Sequence, residues 1–134
     1  MPEKWEVVAD LVPERGDSPP RDLITPDGYS YLLRSKRGGW HDLLVTIASW
    51  LIEHGPLSAG DCPIALPAAR NRYILHTVDI HRDGSQFSDP VFVNGLWIET
   101  KQDTPAIVRC SKRLIEVARG PSADRFEGVF NGDT

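Results

Sequence analysis

The spacing of apolar residues predicts an amphipathic helix in the first half of the chain. Apolar side chains recur at i, i+4, i+7 and i+11, at Trp40, Leu44, Ile47 and Leu51. This period places them on one face of a helix, and such a face is usually buried. Gly55-Pro56 ends the pattern, because proline lacks the backbone N–H that a helix needs. We therefore expect this helix to form a main part of the core.

A second helix is predicted over residues 105–119. Thr104 and Pro105 are typical of an N-cap and a first helical residue, and Gly120-Pro121 is expected to stop the helix. The apolar side of the predicted helix is formed by Ile107, Cys110, Leu114 and Val117.

The stretch between these helices contains the clearest hairpin signal. Asn94-Gly95 separates two β-type runs, and this dipeptide favours a two-residue turn because it accepts positive φ at both positions. The turn predicts the cross-strand pairs Val93–Leu96, Phe92–Trp97, Val91–Ile98 and Pro90–Glu99. Side chains alternate along a strand, so one face is expected in the core and the other is formed by Phe92, Trp97, Glu99 and Lys101.

The remaining elements are predicted from shorter signals. Residues 3–12 show helical spacing of apolar side chains, and a connector with three prolines follows. Residues 23–35 are expected to form a hairpin around Thr25-Pro26-Asp27-Gly28, and residues 70–79 a strand. Residues 56–69 are expected to be an irregular crossing, and residues 126–130 a β-like segment.

Together these elements predict an α+β fold. A mixed or antiparallel sheet with a central β-hairpin is expected to be packed by two main helices, with a short N-terminal helix in addition. The chain length of 134 residues suits one domain. Within it, residues 1–22 are interpreted as an N-terminal arm and Pro-rich connector, and residues 23–130 as the main body.

Composition narrows the class of protein. With 40% hydrophobic and 25% charged residues, the chain is typical of a globular protein. No apolar run approaches the roughly 20 residues that span a bilayer, and no signal peptide is recognised, so we expect a cytoplasmic protein with no membrane partner. Cys62 and Cys110 are interpreted as reduced thiols. The four histidines lack metal-site spacing, and His41 is interpreted as helping to begin its helix.

Three basic groups suggest a binding function, although the net charge is −4. Each group by itself is typical of a solvated face. If two of them converge beside Trp97 and Phe92, they suit phosphates and a stacked base, or an acidic protein partner. The first group precedes Gly38-Gly39, where backbone N–H groups can approach an anion closely. The groups are Arg34, Lys36 and Arg37; Arg70 and Arg72; and Arg109, Lys112 and Arg113.

A second hypothesis comes from the segment Ile98-Glu99-Thr100-Lys101. This segment, and the order helix, three strands, helix, strand, resemble the core of the PD-(D/E)xK nucleases. The resemblance implies that Glu99 binds a divalent metal such as Mg²⁺ and that Lys101 positions the attacking water. It also implies a second acid, either Asp79 or Asp89. The hairpin register places Asp89 opposite Thr100, away from Glu99, which favours Asp79.

The sequence therefore favours a binding module without catalysis or a cofactor, for nucleic acid or for a protein of a nucleic-acid-handling system. The metal-dependent nuclease is one alternative. The other is a structural or assembly protein that oligomerises through the face of Phe92 and Trp97.

Overall fold

The computed structural model describes residues 3–131, which form two α-helices and two four-stranded antiparallel sheets. The α+β class and the two main helices are as predicted. The helices are α1 (Gly39–Glu53) and α2 (Thr104–Ala118). The strands are β1 (Lys4–Val7), β2 (Asp22–Ile24), β3 (Ser30–Leu32), β4 (Ile64–Leu66), β5 (Ala69–His76), β6 (Pro90–Val93), β7 (Leu96–Glu99) and β8 (Glu127–Phe130).

The first sheet joins the two ends of the chain in the order β1-β8-β2-β3. The helix predicted over residues 3–12 is wrong: Lys4–Val7 is a strand, and only a 3-10 turn, Val8–Asp10, follows it. The strand forms because Trp5 pairs with Val129 near the other end of the chain, and local spacing does not report such a partner. Because of this pairing, the N-terminal arm and the main body share one sheet.

The second sheet has the order β4-β5-β7-β6 and contains the predicted hairpin. Strands β6 and β7 pair in the predicted register, from Pro90–Glu99 to Val93–Leu96. Asn94 and Gly95 form the turn with φ values of 46° and 90°. The segment 56–69, predicted to be irregular, contains the short strand β4. The strand predicted over residues 70–79 is β5, which ends earlier than predicted, at His76.

The two helices pack against each other in the core. Helix α1 buries the predicted residues Leu44, Ile47 and Leu51. Helix α2 begins one residue earlier than predicted, so that Asp103 and not Thr104 is the N-cap. The Asp103 carboxylate accepts a hydrogen bond from the Ala106 N–H at 2.9 Å. Neither helix, nor any other within residues 3–131, is long and apolar enough to span a membrane.

Candidate functional site

A cleft of about 490 Å³ lies where the two helices begin. Three parts of the chain line it: residues 37–41 at the start of α1, Asp89 before β6, and residues 100–102 after β7 together with Thr104, the first residue of α2. Pro19 and the buried side chain of Ile107 complete the lining. Polar and charged groups from segments far apart in sequence therefore meet in one cavity.

Two glycines give the first turn of α1 its shape. Gly38 is the N-cap with φ 101°, a conformation that residues with a Cβ adopt only with strain. Gly39 is buried against Pro19, and a Cβ atom added to it would lie 2.6 Å from Cγ of Pro19. As a glycine, the N-cap residue Gly38 has no side chain to accept a hydrogen bond from this turn. Within residues 3–131, the backbone N–H groups of Gly39, Trp40 and His41 have no hydrogen-bond acceptor.

The charged groups of the cleft are two cations and one carboxylate. Arg37 precedes α1, Lys101 follows β7, and Asp89 lies between them and pairs with the Arg37 guanidinium. The Arg37 side chain is 47% exposed and that of Asp89 is 31% exposed, so the pair remains in contact with solvent. Cations outnumber carboxylates by one in the cleft, and the positive end of the α1 dipole adds to them.

His41 lies in the first turn of α1 and lines the cleft, which agrees with its interpretation as a residue at the start of the helix. Its Nδ1 atom is 3.3 Å from the Asp42 carboxylate, while its Nε2 atom is buried and has no partner within the described chain. Burial raises the pKa of Asp42, but hydrogen bonds from Ser35 and His41 outweigh burial, and the net pKa is lowered. The Asp42 carboxylate is therefore ionised, and its contact with Nδ1 holds the His41 ring in place.

Glu99 is buried, with 1% of its side chain exposed, and its carboxylate accepts four hydrogen bonds. The Tyr73 N–H donates to Nδ1 of His81 at 2.9 Å, so His81 carries its proton on Nε2 and donates it to Glu99 at 3.2 Å. The other donors are backbone N–H groups at 2.7, 2.9 and 3.2 Å, from Ser88, Asp89 and Lys101 respectively. Glu99 thus fixes the backbone on both sides of the hairpin where Asp89 and Lys101 enter the cleft. The sequence did not indicate this role of His81.

The three residues of the nuclease hypothesis, Glu99, Asp79 and Lys101, have different surroundings in the structure. Both oxygens of Glu99 accept protein hydrogen bonds, so ligation of a metal there would compete with them. Asp79 follows β5, and its carbonyl oxygen accepts the Phe87 N–H at 2.8 Å. Lys101 lies in the cleft. Among residues 3–131, no cluster of three His, Cys, Asp or Glu side chains forms a metal-binding geometry.

The predicted binding residues near the cleft come from two segments. Arg34 and Lys36 are exposed in the loop that carries Arg37. Phe92 and Trp97 are in contact, with ring centroids 4.8 Å apart, and 57% of Phe92 is exposed. These aromatic rings belong to the hairpin whose open end supplies Asp89 and Lys101. Phe92 is three residues after Asp89, which corresponds to about 10 Å along the strand at roughly 3.3 Å per residue.

The basic residues of α2 have other contacts. Lys112 donates a hydrogen bond from Nζ to the carbonyl oxygen of Leu11 at 2.8 Å, and Arg113 pairs with Glu116. Arg109 is exposed. Arg113 and Arg70 line a separate cleft of about 550 Å³, so members of two of the three basic groups do converge. This second cleft is not lined by Arg37, Phe92 or Trp97.

Both cysteines are free, as predicted. Burial raises the pKa of Cys110 to about 12, and burial together with Asp61 raises the pKa of Cys62 to about 11. Both thiols are therefore protonated at neutral pH and are poor nucleophiles.

The cleft at the helix starts combines an uncapped helix N-terminus with two cations. None of these groups is placed by local sequence alone, since they come from segments up to 64 residues apart, from Arg37 to Lys101. Comparisons of the chain with protein-family models, with curated proteins and with solved structures found no match.

Proposed function

We propose that the protein is a non-catalytic module that binds nucleic acid through its phosphates, at the cleft where α1 and α2 begin. The observation that carries this proposal is the meeting of Arg37, Lys101 and the uncapped first turn of α1 in one cavity. We expect the protein to act in the cytoplasm, where nucleic acid is available to it.

The hydrogen-bond donors in the cleft are of the kinds that bind phosphate oxygens. Guanidinium, ammonium and backbone N–H groups at helix N-termini are among the donors that contact phosphates in nucleic-acid complexes. Gly38 and Gly39 have no side chain that would keep a phosphate away from the helix N-terminus. An anion at this point would accept hydrogen bonds from N–H groups that have no acceptor in the described structure.

The aromatic pair favours single-stranded nucleic acid. Phe92 is exposed and contacts Trp97 in a tilted arrangement on the hairpin that leads away from the cleft. A flexible strand held by a phosphate in the cleft can place an unpaired base on such a surface. The exposed Arg34 and Lys36 extend the positive surface in the loop before α1.

We prefer a binding function to that of a Mg²⁺-dependent nuclease because the Glu99 carboxylate is already engaged in hydrogen bonds with the protein. Its four hydrogen bonds hold the backbone of the cleft, and a metal at this carboxylate would disturb the donors that position Asp89 and Lys101. Lys101 then acts as a phosphate ligand rather than as a positioner of water.

The proposal is tested by the salt dependence of the affinity for single-stranded DNA. Arg37→Ala and Lys101→Ala should each weaken binding and lower the log–log salt slope by about 0.7, because each removes one phosphate contact. Arg125→Ala is the matched control, since it removes one exposed positive charge outside the cleft. Absence of binding at low salt, or equal slopes for all variants, would contradict the proposal. In that case, a protein partner or a second copy on the face of Phe92 and Trp97 becomes the better account.

A further inference from the structure

We infer that the protein self-associates through β3, whose open edge pairs antiparallel with β3 of a second copy about a two-fold axis. This association does not depend on nucleic-acid binding, because β3 is not part of the lining of the cleft where α1 and α2 begin. The partner that this edge fits is therefore a second copy of the chain itself.

Strand β3 lies at the end of the first sheet and pairs on one side only, with β2. The Leu33 N–H donates to the carbonyl oxygen of Arg21 at 2.9 Å, so residues of the same parity as Leu33 face β2. Successive residues of an antiparallel strand face opposite edges, so Ser30 and Leu32 point their backbone N–H and carbonyl groups away from β2. Within residues 3–131 these outward groups have no hydrogen-bond partner. The occupant that satisfies such a row of groups is another extended strand.

The other three sheet edges in the described part of the chain carry features that oppose strand pairing. Strand β1 carries the charged Lys4 and Glu6, β6 begins with Pro90, and the register of β4 is irregular. Charges, proline and bulges are common means by which proteins keep an edge unpaired. Strand β3 has none of them: its three residues are uncharged, and all three are exposed. The exposed fraction is 61% at Leu32 and 66% at the preceding Tyr29.

A two-fold axis at Tyr31 uses the whole open edge. Ser30 then lies opposite Leu32 of the second copy, Leu32 lies opposite its Ser30, and each such pair exchanges both N–H···O bonds. The two Tyr31 side chains face each other at the axis as a non-hydrogen-bonded pair, in which cross-strand side chains are closest. The edge is thus complementary to itself, as a two-fold interface requires.

The charges that flank β3 are compatible with this register. Counted outward from the axis, Arg34 falls opposite Gly28 of the second copy and Asp27 falls opposite its Ser35. No like charges therefore face each other along the paired strands. The net charge of −4 opposes association in general, and a three-residue strand gives a small contact. We therefore expect a weak dimer whose population depends on concentration.

Analytical ultracentrifugation of the full chain over a range of concentrations tests this pairing. The mass should rise from that of the monomer, 14.9 kDa, toward twice that value. Tyr31→Lys and Tyr31→Glu should each weaken self-association about tenfold, because like charges then meet at the axis. An equimolar mixture of these two variants should associate again, since Lys then faces Glu. Val78→Lys is the matched control, at a 47% exposed position between β5 and β6, and it should dimerise like the wild type.

The mixture of variants makes the test specific for the two-fold register, and circular dichroism confirms that each variant is folded. A wild-type protein that stays monomeric up to about 1 mM overturns the inference and leaves an extended strand of another protein as the occupant of the edge. A dimer that persists unchanged in both Tyr31 variants also overturns it, because the two copies then meet elsewhere. So does a mixture of the two variants that remains monomeric.

Discussion

Glu99 is the residue on which the geometry of the cleft depends most. A buried carboxylate is costly unless hydrogen bonds satisfy it, and Glu99 accepts four. Three of them come from backbone N–H groups next to or within the cleft-forming segments, so the carboxylate acts as a structural anchor. The alternation of the hairpin correctly placed Glu99 on the face opposite Leu96 and Ile98, but that face is covered at Glu99 by the segment that contains His81.

The Glu99→Gln variant should lower the free energy of unfolding by about 2–4 kcal/mol, because an amide nitrogen then faces N–H groups that need an acceptor. Urea denaturation measures this change. Glu116→Gln is the control, because Glu116 is 71% exposed and its loss should change stability by no more than about 0.5 kcal/mol. The nuclease hypothesis expects the opposite result, a fold that is unaffected by Glu99→Gln.

Asp89 is the residue that weakens anion binding in this account. Asp89→Asn releases Arg37 and removes a negative charge, while the backbone N–H and carbonyl groups of Asp89 keep their hydrogen bonds. We expect affinity for single-stranded DNA to rise about two- to fivefold, the value of an exposed ion pair. Asp124→Asn, at an exposed position outside the cleft, gives the same change in net charge and should leave the affinity nearly unchanged. Weaker binding by Asp89→Asn would show that phosphate does not use Arg37.

At the scale of elements, the predictions succeeded where the signal is local. The β6–β7 register follows from Asn94-Gly95, because few residues other than this pair adopt two consecutive positive φ values. The face of α1 follows from its apolar period. By contrast, β1 pairs with β8, and β4 is three residues long within a proline-rich segment, so neither has a local pattern that distinguishes it.

The candidate site was predictable only in part, for the same reason. The sequence predicts that Arg37, Gly38 and Gly39 belong to a segment that can approach an anion, and these three residues line the cleft. For Lys101 the resemblance to nucleases implies a different role, the positioning of water. The approach of residues 100–104 to this segment depends on the packing of α1 on α2, which no sequence spacing reports.

The N-terminus of α2 allows a test at this scale. Asp103→Ala should lower the free energy of unfolding by about 1 kcal/mol at neutral pH, whereas Asp103→Asn should keep most of the cap, since an amide oxygen also accepts the Ala106 N–H. A loss as large in Asp103→Asn as in Asp103→Ala would show that the charge, and not the cap, is responsible. Urea denaturation of both variants makes the comparison.

The same residue gives a dependence on pH. The hydrogen bond from Ala106, followed by that from Arg15, lowers the pKa of Asp103 below its ordinary value. A carboxyl group with a lowered pKa stabilises the folded state above its unfolded pKa, and this contribution is lost as the pH falls through the folded value. The stability difference between wild type and Asp103→Ala should therefore decrease below about pH 4. A constant difference down to about pH 3 would contradict this assignment.

At the scale of the whole molecule, charge is divided between neighbouring surfaces. Trp40 lines the cleft at the helix starts and also a second cleft of about 420 Å³, which Glu6, Asp10 and Asp17 make acidic. The formal net charge of −4 therefore does not oppose local binding of an anion. If the proposed nucleic acid binds, we expect the acidic cleft to repel it on that side and to favour the side of the loop with Arg34 and Lys36.

The measurement that tests the central claim most directly is an NMR titration of the isotope-labelled protein with single-stranded DNA. We expect the largest chemical-shift changes at the backbone amides of residues 37–41 and 100–104, because these groups line the cleft. Amides of β8, within the other sheet, should change little and serve as the internal reference. The account is contradicted if the cleft amides stay unchanged while the largest shifts occur around Arg109 and Arg113 on α2.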